Sequence, residues 1–592
     1  MDKRIRSKVD NWLEGPYDED SKNEIQNLLD EGREDELIDR FYKDLEFGTG
    51  GLRGVVGAGT NRINIYNVRK VTQALANYVL KNTPAEKKPL AVITFDCRKY
   101  SDVFADEAAR VFAANKIRCY LTQSLRPTPF LSFCVRQLQA DAGIVITASH
   151  NPPQYNGYKV YGNDGGQIVP PVDGAIIEEV RSIDDMDAVK TKPFKEAVDQ
   201  GLIIYTPPIL EENFLQSCQD HLISPELFQG NHPDIKLVYT SLHGTGITLV
   251  PALLQKLNLK NCFIVSEQEK PDGNFPTVDS PNPEEAASLK LALELAREKK
   301  AALVMATDPD GDRVGIAYPD KNGVYILPTG NQIAVLLCHY ILSRSADKGK
   351  DLSRGYIVKT IVTTRLLEKV AQHYGVKIFN VLTGFKWIGK IIRENEGKGE
   401  YLFGGEESYG YLIGDYCRDK DAVGVCGLLA EMALYLSQKN MTFDEYLDAI
   451  YERFGYFLES LQSLTLKGQK GEQTIRMLMK NMKNSPPKTM LGSPLKTMID
   501  VEKGVVINMN NGQVQERLDL PSSPVLGLCY ENDTEILLRP SGTEPKIKFY
   551  FSINIPVTQG RSINDIKTKG SEQMQLLKSE FMELVENIIK EH

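Results

Sequence analysis

Ser149 and His150 place a hydroxyl and an imidazole side by side in the segment "TASHNPP". The apolar run "AGIVIT" precedes them, so we expect the pair where a buried strand ends and a loop interrupted by proline begins. A serine in that position could act as a nucleophile. Serine, asparagine and proline also favour turns, so this segment alone leaves a purely structural turn open.

A second segment, "ATDPDGDRVG", carries Asp308, Asp310 and Asp312 directly after a strand-like run. Carboxylates this close repel one another unless a cation neutralises them, and Mg²⁺ or Ca²⁺ prefers such oxygen ligands. An EF-hand is excluded, because its glycine and glutamate positions would fall on Arg313 and Pro319. The spacing therefore predicts a metal site of another kind, with a solvated acidic turn as the structural alternative.

Two further segments have the composition of anion-binding loops. "FGTGGLRG" combines a glycine-rich backbone with a guanidinium, and "RPSGTEPKIK" combines a guanidinium, two hydroxyls and a glycine. Ordinary turns are the structural alternatives for both. The residues expected to contact an anion are Arg53 in the first segment and Arg539, Ser541, Gly542 and Thr543 in the second.

The segment "GGEESYG" places Glu406 and Ser408 after another apolar run, where acidic groups would suit the hydroxyls of a sugar. A helix N-cap is the alternative interpretation. A P-loop is not supported at "GFKWIGKI", because Ile391 stands where the motif needs serine or threonine. Together, the metal site, the anion loops and the acidic groups predict phosphoryl transfer on a phosphosugar, with Ser149 as the nucleophile.

The elements that must position these residues alternate between strand-like and helix-like stretches. This βαβ rhythm predicts three similar α/β units with mostly parallel sheets, in which ligands bind at the carboxyl ends of the strands. The first 45 residues predict a helical extension, and "NMKNSPPKTMLGSP" (481–494) predicts a linker or exposed loop. The C-terminal sequence predicts two strands followed by an amphipathic helix.

The composition is that of an ordinary soluble protein of several domains. The chain has 592 residues, a net charge of -9 and a pI of about 5.6, which gives no electrostatic footprint for nucleic acid. Its apolar runs are too short to span a bilayer, and its charged N-terminus lacks the core of a signal peptide. The nine cysteines form no CxxC pair, which predicts reduced thiols and a cytoplasmic location.

In their order along the chain, the segments resemble the motifs of the α-D-phosphohexomutases, the phosphoglucomutase/phosphomannomutase superfamily. "TASHNPPQYNGYK" resembles the phosphoserine loop, "DPDGDR" the metal loop, "GEESYG" the sugar-specificity loop and "RPSGTEPKIK" the phosphate loop. The resemblance implies an α/β protein of four domains around a central cleft, three similar mixed α/β domains plus a smaller α+β C-terminal domain. The expected divisions are a helical extension at 1–45, a phosphoserine domain at 46–215, a metal-binding domain at 216–325, a sugar-binding domain at 326–455, and a linker with the phosphate-binding C-terminal domain at 456–592.

The same resemblance implies roles for individual residues. Ser149 would carry a phosphate, and Mg²⁺ would lie between that phosphate and the three aspartates. Lys159 matches the position of the family's general acid/base and ranks first for that role, with His150 second. Contacts to phosphate or sugar are implied for Arg53, Arg313, Lys386, Glu406, Ser408, Arg539, Ser541, Gly542 and Thr543.

The activity implied is an isomerase that interconverts glucose 1-phosphate and glucose 6-phosphate. Glucose 1,6-bisphosphate would be its intermediate and activator, and mannose phosphates would be slower substrates. The expected partner is a small phosphosugar substrate, with no nucleic acid and no membrane, and the sequence leaves the oligomeric state open. The alternatives are a phosphopentomutase or a sugar 1,6-bisphosphate synthase and, from other classes, a metal-dependent sugar phosphatase or a non-catalytic sugar-phosphate binder.

Overall fold

The structure is a computed structural model that describes residues 1–48, 50–183, 186–229, 234–466, 468–542, 545–557 and 562–590. The chain forms two compact units. The first comprises Met1–Ile333, Arg354–Val358 and Gly384–Thr442, and the second comprises Ala334–Ser353, Lys359–Thr383 and Phe443–His592. Over the described residues, no helix combines the length and apolar character needed to cross a membrane.

Three helices precede the first sheet: α1 (Lys3–Glu14), α2 (Glu19–Asp30) and α3 (Glu34–Phe41). Asp2 and Asp18 cap the first two, because their side chains accept backbone amides of the first turn at 2.8 Å. The apolar faces of all three helices pack into one cluster that also contains Tyr66. The polar N-terminal sequence therefore forms the helices that its pattern predicts.

The first sheet is mixed, with the strand order β1-β5-β4-β2-β3-β6. The strands β4, β2, β3 and β6 run parallel, with β6 at the edge, whereas β1 and β5 run antiparallel to their neighbours. Its helices and strands are β1 (Gly51–Val55), α4 (Ile65–Asn82), β2 (Leu90–Phe95), α5 (Ser101–Ala114), β3 (Arg118–Leu121), α6 (Thr128–Gln137), β4 (Ala142–Ile146), β5 (Tyr155–Gly162), α7 (Val172–Arg181), α8 (Phe194–Asp199), β6 (Ile203–Tyr205) and α9 (Ile209–Asp220).

The second sheet has the order β11-β10-β9-β7-β8, with β9, β7 and β8 parallel and β10 and β11 antiparallel. Every residue of β9 is buried, so the strand that leads into the acidic segment is fixed by the core on both faces. Its elements are β7 (Leu237–Thr240), α10 (Val250–Lys256), β8 (Cys262–Ile264), α11 (Ser266–Glu269), α12 (Lys290–Lys299), β9 (Leu303–Thr307), β10 (Val314–Pro319) and β11 (Tyr325–Ile326).

A third α/β segment follows, in which β14 and β15 form an antiparallel pair. Its helix α16 is apolar and almost wholly buried, and the side chain of Asp421 caps it by accepting two backbone amides. The elements are α13 (Gly330–Asp347), β12 (Gly355–Thr360), α14 (Leu366–His373), β13 (Lys377–Val381), α15 (Phe385–Glu394), β14 (Glu400–Gly405), β15 (Tyr411–Ile413), α16 (Ala422–Gln438) and α17 (Phe443–Phe454).

The C-terminal segment is an antiparallel sheet with the order β16-β23-β22-β21-β18-β19-β20, and β17 pairs with β18. The predicted amphipathic helix is present as α19, whose Phe581 packs against the rings of Phe549 and Phe551. The elements are β16 (Tyr456–Thr465), α18 (Gly468–Asn484), β17 (Thr489–Met490), β18 (Ser493–Asp500), β19 (Val505–Asn508), β20 (Val514–Arg517), β21 (Leu526–Tyr530), β22 (Glu535–Pro540), β23 (Lys546–Ile555) and α19 (Ile563–Lys590).

The expectation of a linker at 481–494 is wrong. The segment contains the end of α18, a short turn and the β17–β18 hairpin, and its Met490 is only 2% exposed. The residues Pro486 and Pro487 do form a break, but the apolar side chains that follow them belong to the core. The proline and serine residues correctly indicated a turn in this segment. The turn is shorter than the predicted linker.

Four polar loops share the same connection between strands. They contain Ser149, the three aspartates, Glu406 and Ser541. Each joins two antiparallel neighbours: β4 to β5, β9 to β10, β14 to β15 and β22 to β23. The expectation of mostly parallel sheets is therefore too simple, because the strand after each loop turns back beside the strand before it. Both ends of every loop are held in register, which restricts where its side chains can lie.

Candidate active site

Ser149 lies in the loop between β4 and β5 and faces the acidic loop rather than solvent. Its Oγ donates to Asp308 Oδ2 at 2.7 Å and lies 3.1 Å from His150 Nδ1. The backbone of Ser149 has a φ of +51°, in the left-handed region that costs a residue other than glycine about 1–2 kcal/mol. A hydroxyl held in this way has the placement of a functional group more than that of a turn residue.

The acidic loop begins where β9 ends and buries all three aspartates. Their ligand oxygens lie within 4.8 Å of one another. Asp308 Oδ1 accepts the backbone amides of Asp312 at 3.1 Å and Arg313 at 3.0 Å, which fixes the turn. Burial and the neighbouring charges of Asp310 and Asp312 raise the pKa of Asp308 well above its usual value.

The donor set of this loop fits a hard divalent cation. The Oδ1 atoms of Asp310 and Asp312 are buried and have no hydrogen-bond partner among the described residues. Buried carboxylate oxygens normally have hydrogen-bond partners, so these two atoms are available as ligands of a cation, with Arg313 Nε 3.9 Å from Asp312 Oδ1 as the neighbouring positive charge. Three carboxylates with a hydroxyl beside them offer the oxygen ligands that Mg²⁺ prefers.

Two lysines neutralise the acidic loop from the side. Lys159, on β5, lies 2.7 Å from Asp310 Oδ2 and 3.3 Å from Asp312 Oδ2. Lys420 lies 3.1 Å from the same oxygen of Asp312 and 3.2 Å from Asp419 Oδ1. Burial lowers the pKa of Lys159, but Asp310 and Asp312 raise it by more, so the ammonium group is held charged.

His150 lies in a positively charged environment. Burial, followed by the charges of Arg313 and Arg53, lowers the pKa of His150 to about 2. The imidazole is therefore neutral at neutral pH, and its surroundings oppose its protonation. Arg53, on β1, donates to Asn151 Oδ1 at 3.1 Å, which brings the first predicted anion-binding segment to the serine loop.

Arg313 follows the acidic loop and is held by two carboxylates. Its Nη1 lies 2.9 Å from Glu284 Oε1, and its Nε lies 3.9 Å from Asp312 Oδ1. Burial lowers the pKa of Arg313, but the charges of Asp312, Asp308 and Glu284 raise it by more. The pKa therefore lies above its usual value. The side chain offers a fixed positive charge beside the predicted metal site.

The sugar loop places Glu406 at the end of β14, where its Oε1 accepts the amide of Gly384 at 2.9 Å. Burial raises the pKa of Glu406, and the charge of Lys420 opposes that shift. Ser408 is half-buried in the same turn. Lys386 is the second residue of α15, and burial lowers its pKa. The helix-cap alternative holds in part, because the amide that Glu406 accepts is that of Gly384, the N-cap residue of α15.

The C-terminal anion loop lies in the second compact unit, between β22 and β23. Arg539 pairs in register with Lys548, and the amide of Ser541 donates to the carbonyl of Lys546 at 2.7 Å. Ser541 and Gly542 are exposed, and a side chain at Gly542 would meet no atom within 4 Å. Thr543 lies outside the described residues.

Three regions of the chain match family descriptions of phosphoglucomutase/phosphomannomutase alpha/beta/alpha domains I, II and III, at residues 44–187, 216–323 and 329–454. The phosphoglucomutase of Staphylococcus saprophyticus is 36% identical over 548 residues, which cover 92% of this chain and 96% of that protein. The chain belongs to the phosphoglucomutase/phosphomannomutase family. The phosphoglucomutase of Staphylococcus aureus strain USA300 is 34% identical over 558 residues, with 94% of this chain and 96% of that protein covered.

Solved structures of the phosphoglucomutase/phosphomannomutase family share the fold. A family protein from Burkholderia thailandensis gives a TM-score of 0.60 at 19% identity over 90% of this chain and 97% of that chain. Parafusin, a phosphoglucomutase from Paramecium, gives 0.64 at 18% identity over 93% and 95%. The family and the mixed α/β fold class expected from the motifs are confirmed.

Sequence reasoning missed Lys420 and Arg98 in this phosphoglucomutase/phosphomannomutase fold. Lys420 bridges Asp312 and Asp419, and Asp419 Oδ2 accepts the hydroxyl of Tyr161 at 2.6 Å. The run "CRDKDA" could have pointed to it, since such charges rarely stand directly before a buried apolar helix unless they are paired. Arg98 carried no such signal, because its hydrogen bonds to the serine loop all go to backbone carbonyls.

Proposed function

We propose that this family member interconverts glucose 1-phosphate and glucose 6-phosphate through a phosphate carried on Ser149 and a glucose 1,6-bisphosphate intermediate. The observation that carries the proposal is the 2.7 Å contact between Ser149 Oγ and Asp308 Oδ2 within the buried acidic loop. Relatives named phosphoglucomutase, at 36% and 34% identity, favour glucose phosphates as substrates. The nine cysteines are all free, which supports a cytoplasmic location.

The proposed reaction has two phosphoryl transfers of opposite direction. In the first, a sugar hydroxyl attacks phosphoserine, so a bond from phosphorus to the sugar oxygen forms and the bond to Ser149 Oγ breaks. In the second, Ser149 Oγ attacks the other phosphate of the bisphosphate and recovers its phosphoryl group. A Mg²⁺ ion held by Asp308, Asp310 and Asp312 would neutralise charge on the transferring group.

Proton transfer is assigned to Lys159, which contacts the acidic loop at Asp310, and to His150, which contacts Ser149 itself. Lys159 is the first choice as general acid, because its ammonium group is held charged beside Asp310 and so carries a proton for the departing serine oxygen. His150 is the second choice because its Nδ1 lies 3.1 Å from Ser149 Oγ, but the charges that lower its pKa make it a weak base. Arg53 would stabilise negative charge beside both groups.

The remaining residues are assigned to substrate binding. Glu406 would accept hydrogen bonds from ring hydroxyls, and Ser408 would donate to them. Arg313 and Lys386 would add positive charge for phosphate or sugar oxygens. The phosphate that does not react is assigned to Arg539, Ser541, Gly542 and Thr543.

The decisive measurement is the intact mass of the protein after incubation with glucose 1,6-bisphosphate and Mg²⁺. We expect wild-type protein to gain about 80 Da, the mass of one phosphoryl group. Ser149→Ala should gain nothing and should lose mutase turnover by several orders of magnitude. Ser182→Ala is the matched control, because the hydroxyl of Ser182, among the described residues, donates to the carbonyl of Glu179 at the end of α7. A Ser149→Ala protein that keeps more than about a tenth of wild-type activity would contradict the nucleophile assignment.

A further inference from the structure

One buried guanidinium holds almost the entire serine loop by its backbone. Arg98 Nη2 donates to the carbonyls of Ser149, at 2.6 Å, and of Asn151. Arg98 Nη1 donates to the carbonyls of Pro152 at 2.9 Å and Tyr155 at 3.0 Å. The side chain is 0% exposed, so these bonds are made without competition from water.

The guanidinium is itself held by the carboxylate of Asp96. Arg98 Nε lies 3.4 Å from Asp96 Oδ2, and Asp96 Oδ1 accepts both the amide of Arg98 and the hydroxyl of Ser101. Asn156 Nδ2 donates to Ser101 Oγ at 3.0 Å. Because each partner is bonded to another, the network leaves Arg98 with a single position.

A second loop closes over the opposite side of Arg98. Its guanidinium lies 5.1 Å from the centre of the ring of Phe275, which belongs to the second α/β segment. A side chain at Gly273 would come within 2.8 Å of the Arg98 Cα, so the two loops touch through their backbones. Arg98 therefore connects the loop that carries the serine with the segment that leads to the acidic loop.

We propose that Arg98 is a positioning residue for phosphoryl transfer, which holds Ser149 in its left-handed conformation with Oγ directed at Asp308. The inference rests on the proposed function, because it concerns the serine that would carry the phosphate. The φ of +51° at Ser149 is unfavourable for a residue other than glycine, so contacts elsewhere must hold it. The carbonyl of Ser149 is the group through which Arg98 does so.

The planar fork of arginine is the property required. A guanidinium has five N–H donors in a fixed plane and can serve four carbonyls from one position, whereas an ammonium has three donors and a different geometry. Arg98→Lys keeps the buried charge and loses the fork. We expect it to slow phosphoryl transfer to Ser149 about tenfold to a hundredfold, the effect of a misplaced reacting group.

The experiment measures the single-turnover rate at which dephosphorylated protein gains the phosphoryl mass from glucose 1,6-bisphosphate. Wild type is compared with Arg98→Lys and with Asp96→Asn, which removes the anchoring charge and should give a smaller loss. Arg62→Lys is the matched control: Arg62 is also buried and also bonds carbonyls and carboxylates, but it does so in the N-terminal helices. Unfolding midpoints and calorimetric binding of glucose 1-phosphate are measured on every variant.

The expected result is slower transfer in Arg98→Lys, with binding of glucose 1-phosphate unchanged and a fall in unfolding midpoint no larger than that of Arg62→Lys. Transfer at the wild-type rate in Arg98→Lys overturns the inference. If Arg98→Lys does not fold, Asp96→Asn decides, and an unchanged rate there overturns the inference as well. Failure of wild-type protein to gain phosphate overturns the proposed function instead, so the two ideas fail by different results.

Discussion

Asp310 and Asp312 divide their oxygens between two tasks. In each carboxylate, Oδ2 pairs with a lysine, whereas Oδ1 is buried without a hydrogen bond to any described residue. An uncompensated buried oxygen is costly, so the arrangement favours a cation on the Oδ1 side. Replacing one of these aspartates by asparagine keeps the shape of the side chain and removes its charge. We therefore expect the substitution to weaken metal binding more than folding.

Asp310→Asn should therefore weaken Mg²⁺ binding and lower mutase activity together, because it removes one of three charged ligands. Isothermal titration with Mg²⁺ and initial rates over a range of Mg²⁺ concentrations measure the two effects. Asp320→Asn is the control, since Asp320 only accepts amides in the exposed turn between β10 and β11. Activity of Asp310→Asn that is unchanged and insensitive to chelator would show that the loop is only a turn.

Arg539→Ala should raise the KM for glucose 1-phosphate with little change in unfolding midpoint. A charged hydrogen-bonded contact to phosphate contributes roughly 1.5–3 kcal/mol, which corresponds to a loss of affinity of about tenfold to a hundredfold. Arg517→Ala, at an exposed position of β20, is the control. Unaltered calorimetric binding of glucose 1-phosphate by Arg539→Ala would refute the assignment.

At this scale the sequence identified residues whose chemistry is local and failed where partners come from distant segments. Ser149 and the aspartates stand in short motifs beside apolar runs, and the structure brings them within hydrogen-bond distance. Lys420 is separated from Asp312 by more than a hundred positions in the chain, and their contact depends on packing that no local pattern encodes. The roles of the predicted residues stay predictions until the experiments above are done.

At the scale of elements, the strands were predictable and their directions were not. "LAVITF" and "AGIVIT" form β2 and β4 almost to the residue, because short apolar runs between turn residues favour strands. The directions of β5, β10 and β15 depend on which neighbour each strand pairs with, and a buried antiparallel strand has the same pattern as a parallel one.

The cap of α16 gives a prediction on pH. Burial raises the pKa of Asp421 to about 6, against the opposing hydrogen bonds from Tyr416 and the helix amides. The folded protein therefore binds this proton more tightly than the unfolded chain, so the stability contributed by the group is present below its ordinary pKa and is lost as pH rises towards about 6. Relative to wild type, the thermal midpoint of Asp421→Asn should rise between about pH 4 and pH 7.

Asp18, the cap of α2, supplies a control of opposite sign. Burial raises its pKa, but hydrogen bonds from Tyr66 and Ser21 lower it to a net position below the usual value. The stability that Asp18 contributes is present at pH values above its pKa in the unfolded chain. It is lost as the pH falls through its lower pKa in the folded protein. The deficit of Asp18→Asn should therefore shrink in acid. Parallel pH profiles for the two variants would contradict the assignment of either shift.

At the scale of the whole molecule, the residues assigned to sugar and to the second phosphate belong to different compact units. The sequence predicted α/β segments followed by a smaller α+β segment, which the fold confirms. It could not predict that residues 334–353 and 359–383 group with the C-terminal sheet, because that grouping depends on contacts between segments far apart in the chain.

The substrate preference of the whole protein is its least local property. We expect the highest kcat/KM for glucose 1-phosphate, a lower value for mannose 1-phosphate and the lowest for ribose 1-phosphate, all at one fixed bisphosphate concentration. Glucose and mannose differ only at carbon 2, so discrimination should be about tenfold to a hundredfold. A pentose would deprive the buried carboxylate of Glu406 of a sugar hydroxyl assigned to it, which is a larger loss.

Glu406→Gln tests the same assignment from the protein side. Both hexoses present the same 3- and 4-hydroxyls to this residue, so the substitution should slow both by similar factors. A preference for ribose 1-phosphate in wild-type protein, or an effect of Glu406→Gln on one hexose only, would show that the loop reads another part of the sugar.

The acidic loop owes its shape to bonds within the chain. Asp308 is fixed by two backbone amides, the carbonyl of Asp310 accepts the amide of Thr128 at 2.8 Å, and Lys159 lies against two of the carboxylates. In a zinc finger, by contrast, the free energy of metal binding is the free energy of folding. Because bonds within the chain already shape this loop, we expect folding and ion binding to be separate events, with the apoprotein folded and able to take up Mg²⁺ afterwards.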